Sequence, residues 1–246
     1  MVQGARLQLE GLEKEFRESG AVVAPLDLKI ESGEFVSFLG PSGSGKSTLL
    51  RILAGLDAPT RGRLSIDSFG SQFFKSFVFQ EAALIPWRTA LENVALPLEL
   101  MGRSKTEACE AAKSALRRVH LPEAFNLYPS QLSGGMKMRC SVARALVAEP
   151  RLLLLDEPFA ALDEKTRQHL QEDIRKLWIE SKMTVIFVTH SVSEAVFVSD
   201  RAIVFSSRPA RVISDSRIAL PARREGSLRF EADYLKEVVR ISEAFQ

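Results

Sequence analysis

GPSGSGKST, Gly40 to Thr48, decides how this chain is read. Gly40 to Ser47 fill every fixed position of the pattern G-x-x-x-x-G-K-[ST]. The context is right as well. FVSFL, Phe35 to Leu39, reads as a short buried strand, and KSTLLRILAGL reads as a helix. Leu49, Leu50, Ile52, Leu53 and Leu56 give that helix an apolar face, and Gly55 lies near its end. Strand, glycine-rich turn and helix together make a phosphate-binding loop. Gly40, Gly43 and Gly45 let backbone N–H groups approach an anion closely, with Pro41, Ser42 and Ser44 filling the turn. The pattern assigns Lys46 to the β- and γ-phosphates, Ser47 to Mg²⁺ and Thr48 to the neighbourhood of the α-phosphate. By itself the loop leaves kinases and GTPases open.

RLLLLDEPF, Arg151 to Phe159, supplies the complement. A continuous apolar strand delivers Asp156 and Glu157 to the C-terminal edge of a sheet, where ligands bind in such sheets. Asp156 is the expected Mg²⁺ ligand, through water, and Glu157 the general base for an attacking water. TVIFVTH, Thr184 to His190, is another buried strand. It is expected beside the 35–39 strand, where His190 reaches the γ-phosphate region. Gln80 follows the strand SFVFQ; alone it carries no message. QLSGGMKMR, Gln131 to Arg139, opens another helix with a serine and two glycines, again the form of an anion site.

The 246 residues suit one large domain, and the 46% hydrophobic content allows a sizeable core. A net charge of +2 gives no case for a nucleic-acid partner. Arg208, Arg211, Arg223 and Arg224 read as solvated surface. Cys109 and Cys140 make neither a disulfide framework nor a metal site and fit a reducing compartment. His120 and His169 read as structural or surface groups. No signal peptide and no membrane-spanning run is evident, so the chain is expected to be soluble and cytoplasmic, alone or as part of something larger.

Along the chain, strands and turns fill the first third. Thr89-Ala-Leu-Glu92 and Ser104-Lys-Thr-Glu107 are capping boxes, each opening a helical stretch, and Pro97 is expected to kink or end the first. Residues 88–148 therefore read as a helical sub-domain inserted into an α/β core of residues 1–87 and 149–225. Ser191-Val-Ser-Glu194 caps a further helix, DRAIVFSS and ARVISDS read as a closing pair of strands, and residues 226–246 end in a docked amphipathic helix. The fold class expected is α/β, a mostly parallel sheet covered on both faces.

The ordered set GPSGSGKST, VFQ, LSGGM, LLLLDEPF, ALD and VTH resembles the nucleotide-binding subunit of ABC transporters over nearly the whole chain. The resemblance implies a P-loop NTPase (RecA-like) core with an N-terminal antiparallel β part and the inserted helical sub-domain. It implies that Phe16 stacks on adenine and that Gln80 senses Mg²⁺ and water. It makes Ser133, Gly134 and Gly135 the signature motif, places Asp163 in the loop that crosses a dimer interface, and makes His190 the switch histidine. ATP and Mg²⁺ are the implied cofactors. Lys46, Ser47 and Asp156 of one copy would share an ATP with Ser133 and Gly135 of a second, which is why one chain carries two phosphate-type sites.

LIPWRTALENVALPLEL, DEPFAALDEKTR, FVTHSVSEAV and DRAIVFSSRPARV look like the nitrate/sulfonate/taurine-type importers. This implies transmembrane permease subunits, a solute-binding protein acting indirectly, and a place on the cytoplasmic face of a bacterial membrane. Trp87 would lie beside the groove for a permease helix. An appended regulatory domain of the maltose type is not expected. Met138, Ser191 and Ala210 depart from the usual glutamine, acid and glycine. None of these departures removes a group needed for hydrolysis. Alternatives are a lipid-transport or export subunit, or a non-transport ABC ATPase.

Overall fold

The computed structural model describes residues 4–18, 20–67, 74–160 and 162–245. Ala161 of the ALD stretch lies outside them. Among these residues, nine strands form two sheets. β1 (Arg6–Phe16), β2 (Gly20–Ile30) and β4 (Arg61–Asp67) make an antiparallel sheet in the order β2-β1-β4. The second sheet adds β3 (Phe35–Leu39), β5 (Lys75–Val78), β6 (Leu152–Asp156), β7 (Thr184–Thr189), β8 (Arg201–Phe205) and β9 (Val212–Arg217), in the order β5-β6-β7-β3-β8-β9. All its pairs are parallel except β8–β9. The expected α/β class with an antiparallel N-terminal part is what the chain forms.

Strand alternation splits the core in two. Phe35 and Leu39, Leu153 and Leu155, Val185 and Phe187 face one side of the larger sheet; Val36 and Phe38, Leu152 and Leu154, Ile186 and Val188 face the other. The second side packs on α1 (Lys46–Ala54), which is held between the two sheets through Leu49, Leu50, Ile52 and Leu53. The first side takes the remaining helices. α2 (Ala90–Leu100), α3 (Lys105–Arg118) and α4 (Gly134–Leu146) all fall between β5 and β6, which are neighbours in the sheet. α5 (Glu164–Ser181), α6 (Val192–Val198) and α7 (Ala232–Glu243) complete that layer.

Local chemistry sets the boundaries. Thr89 and Ser104 each accept from the N–H three residues on, and Glu92 and Glu107 each bond back to the cap N–H. Gly55, at φ 75°, closes α1. Pro97 does not end α2, which continues to Leu100. The residue's missing N–H costs one helical bond, and packing of Val94 and Ala95 into the core outweighs it.

The expectation that all four late arginines are solvated fails at Arg224, which is 3% exposed. Its guanidinium donates to the carbonyls of Val196, Phe197 and Ser199 at the end of α6, and Asp200 lies 3.4 Å away. Burial, and then the neighbouring Arg175, lower its pKa to about 9. Arg175, also buried, donates to Val198 and Ala222 carbonyls and to Asp200. Together the two side chains fasten residues 221–224 to the end of α6.

Candidate functional site

The larger sheet places three strand ends side by side. Asp156 of β6 is level with Val188 of β7, and Leu39 of β3 is level with Thr189. β7 lies between β6 and β3, so His190 emerges between Glu157 and the glycine-rich loop that leaves β3. Above these ends is a cleft of ≈ 380 Å³ lined by Phe16, Val22, residues 42–48, Gln80, Glu157 and Arg208.

The loop from Gly40 to Gly45 is built around backbone constraints. Gly45 sits at φ 113°, and a Cβ there would lie 2.5 Å from the Val22 carbonyl oxygen. Gly43 is at φ 75°, also in the region that favours glycine. Lys46 is 3% exposed, its Nζ donating to the carbonyls of Gly40 at 2.8 Å and Pro41 at 2.7 Å. Burial pulls its pKa down, against the pull of Glu157 and Asp156. Ser47 Oγ donates to Asp156 Oδ1 at 2.8 Å. Asp156 is 7% exposed and its pKa is raised, chiefly by burial and in spite of the Ser47 bond.

Glu157 has φ 44°, rare for a residue with a side chain, and its N–H donates to the Val188 carbonyl. The chain therefore turns sharply at the sheet edge, and Glu157 Oε2 comes to 3.1 Å from Nδ1 of His190. His190 is mostly exposed, while the Glu157 side chain is largely covered. An acid and an imidazole in contact, open to the cleft, form a pair able to hold and deprotonate a water.

Phe16 is 40% exposed on the cleft wall, with the Lys14 ammonium 4.6 Å from its ring centroid. Gln80 is exposed and also lines the cleft. The remaining candidates are not in this cleft. Ser133 caps α4, its Oγ accepting from Met136 N–H, and Gly134 is exposed beside it. Asp163 caps α5 from an exposed position, its Oδ1 accepting from Thr166 N–H. The two are neighbours in one respect: a Cβ on Gly135 would meet Leu162 at 3.2 Å.

Arg208 lines the cleft, a placement its reading as plain surface missed; its Nε donates to the Ala21 carbonyl at 3.1 Å. The DRAIVFSSRPARV stretch does not mark it for the cleft, since only the packing of the 206–210 turn onto β2 brings it there. Met138, left unexplained by the motif, is 2% exposed within the helical core, so an apolar side chain suits its place.

The family model described as ABC transporter matches residues 23–160, a span that runs from the β2 strand through the loop, Gln80, the α4 start and Glu157. The chain belongs to the ABC transporter family. It is an ATP-binding, ATP-hydrolysing subunit of that family. An uncharacterized ABC transporter ATP-binding protein of Methanocaldococcus jannaschii is 44% identical over 242 residues, covering 96% of this chain and 91% of that one. The nitrate import ATP-binding protein NrtD of Synechocystis sp. is 41% identical, with 89% and 85% covered. An aliphatic sulfonates import ATP-binding protein of Pseudomonas aeruginosa is 44% identical, with 96% and 86% covered. Among solved structures, a dimeric ATP-binding cassette in a post-hydrolysis state bound to ADP and Pi superposes with TM-score 0.79 at 35% identity, covering 87% of this ABC subunit and all of that chain.

Proposed function

We propose that this subunit works as a homodimer on the cytoplasmic face of a membrane, energising import of a small oxidised anion through a permease. The observation that carries the reading is the division of groups just described. Lys46, Ser47 and Glu157 line one cleft, with Asp156 bonded to Ser47 and His190 to Glu157, while the exposed start of α4 at Ser133 lies outside it. A second copy brings its own Ser133 to Gly135 to the first copy's ATP. The dimeric relative supports this arrangement, and the nitrate and sulfonate import relatives support the cargo class. A solute-binding protein would deliver that cargo to the permease. No described helix is long and apolar enough to cross a membrane, so contact with the bilayer passes through the permease.

Phe16 stacks on the adenine. Backbone N–H groups of residues 42–48 and the N-terminus of α1 hold the phosphates. Lys46 exchanges its loop carbonyls for β- and γ-phosphate oxygens. The residues fit a Mg²⁺ ion: Ser47 Oγ and the Asp156 carboxylate already meet at 2.8 Å, both hard oxygen donors. No cluster of three acidic, histidine or cysteine side chains occurs among the described residues, so phosphate oxygens and water would complete the shell. Ser47, Asp156 and Gln80 would hold the ion, which supplies charge neutralisation at the phosphates. Glu157 takes a proton from the attacking water, and His190, held by Glu157, keeps that water in line with the γ-phosphate. ATP joins the two copies and its cleavage separates them.

The loop from Gln80 to Arg88 carries the movement outward. Asn93 fastens it, accepting from Ile85 N–H and donating to the carbonyls of Ile85, Arg88 and Thr89. Trp87 is left 76% exposed, as an aromatic anchor for a permease helix would be. The test is Glu157→Gln. It should bind ATP, lose turnover by about 10²–10⁴-fold, and persist as an ATP-dependent dimer in size-exclusion chromatography. Turnover at the wild-type rate would remove Glu157 from the role of base.

A further inference from the structure

Among the described residues, three helices begin with Ser or Thr followed by Glu three residues on, and one of them is wired differently. Glu92 and Glu107 each bond back to their cap N–H. Glu194 does not. The Ser191 N–H is taken by Thr189 Oγ1 at 3.0 Å, and Glu194 Oε2 accepts from that same Thr189 hydroxyl at 2.7 Å. One hydroxyl therefore holds the backbone on both sides of His190, and Glu194 fixes the hydroxyl. The other Glu194 oxygen faces Nε of Arg167 at 3.7 Å. That Nε is buried with no hydrogen-bond partner, while another nitrogen of the same guanidinium donates to the Leu162 carbonyl at 2.8 Å. Leu162 adjoins Asp163. Neither Arg167 nor Glu194 lines the cleft.

We infer that Glu194 and Arg167 are positioning residues for hydrolysis. Glu194 sets the Thr189–Ser191 turn so that His190 meets Glu157, and Arg167 ties that turn to the backbone beside Asp163. The inference rests on the roles given above to Glu157 and His190. A helix cap alone would not need this wiring, because the reciprocal arrangement at Glu92 and Glu107 already serves that purpose. A covered carboxylate, 13% exposed, is retained at a site where an ordinary cap would leave it near water.

The experiment is steady-state ATP turnover by the full chain, with melting temperatures, for Glu194→Ala, Glu194→Gln, Arg167→Ala and His190→Ala. The first and third are also combined with His190→Ala. Glu194→Ala and Arg167→Ala should lower kcat about tenfold, with KM within about twofold. Glu194→Gln should keep most of kcat, because its amide oxygen still accepts from Thr189. In the His190→Ala background neither substitution should cost more, since both act through that histidine. If Glu194→Ala does not fold, Thr189→Val deletes the shared hydroxyl with little change of shape and should show the same loss. Wild-type kcat in Glu194→Ala, or losses that add fully to that of His190→Ala, would overturn the inference. Should Arg167→Ala alone match wild type, the link to the Asp163 side is wrong. If His190→Ala itself turns over normally, the hydrolytic pair is misassigned; if it is impaired while the other two are not, only the positioning role fails.

Discussion

Among the described residues, the α-helices α1 and α4 both start at a serine and a glycine, and their surroundings are opposite. At the start of α1, Ser44 and Lys46 are buried, and a Cβ on Gly45 would strike the Val22 carbonyl oxygen at 2.5 Å. At the start of α4, Ser133 and Gly134 are exposed, and a Cβ on Gly134 would meet nothing within 4 Å. Gly45 is glycine because this chain's own fold leaves no room and demands a positive φ. Nothing in the fold requires Gly134 to be glycine. In the proposed dimer, Gly134 faces a second copy's ATP. On that proposal, one start is completed by this chain's own fold and the other by a partner.

Exchanging each glycine for alanine puts that contrast at risk. Gly45→Ala should destabilise the chain by about 1–3 kcal/mol, from strain at φ 113° and the clash with Val22. At roughly 2–4 °C per kcal/mol this is readily seen in a melting curve, with loss of ATP binding by the monomer. Gly134→Ala should leave stability equal or a few tenths of a kcal/mol higher, since alanine is the better helix former. Monomer ATP affinity should be unchanged, yet turnover should fall because the methyl group meets the partner's nucleotide. If Gly134→Ala is fully active, α4 does not complete a second copy's site.

The cleft also holds a cost that the start of α4 does not. Asp156 is desolvated, and its raised pKa means the folded chain holds that proton more tightly than the unfolded chain does. Stability from this group is therefore lost as pH rises from the unfolded pKa through the folded one, and the cost is fully present above both. In metal-free, nucleotide-free buffer, Asp156→Asn should raise Tm at pH 8 by about 2–4 °C, the size that roughly 1 kcal/mol produces in a chain of this length. The gain should shrink as pH is lowered toward 4. A variant that melts below wild type at pH 8 would show that the Ser47 bond outweighs burial.

What sequence could and could not reveal follows the same division between local and long-range chemistry. The loop, the apolar strands and the caps at Thr89, Ser104, Ser133 and Ser191 depend on residues within a few positions of each other, and spacing exposes them. Lys46, Ser47, Asp156, Glu157 and His190 stand out for that reason, and the structure puts each at a strand end or helix start. Arg224 misled because its partners, Val196, Phe197 and Ser199, are 25–28 residues away, and nothing local marks an arginine for burial. Arg208 reaches the cleft only because its turn docks on β2, and Met138 makes sense only as part of a packed helical layer. Glu194 is the subtlest case: its spacing from Ser191 announces a capping box, but its carboxylate accepts from Thr189, two residues before the cap, instead.

Trp87 extends the comparison to the surface proposed for the permease, and its removal should have the smallest effect of all on the isolated chain. Asn93 and Arg144 hold the backbone on either side, so the loop does not depend on the indole. At 76% exposure the ring contributes little to the core. Trp87→Ala should therefore leave the stability of the isolated chain within about 0.5 kcal/mol, and its ATP turnover unchanged. Reconstituted with its permease, the same variant should lose coupled transport while keeping ATP binding, because a large buried aromatic is the kind of residue that dominates an interface. A loss of turnover in the isolated chain would mean that the 80–88 loop serves the cleft directly. A silent Trp87→Ala in the complete transporter would move the permease contact elsewhere on this face.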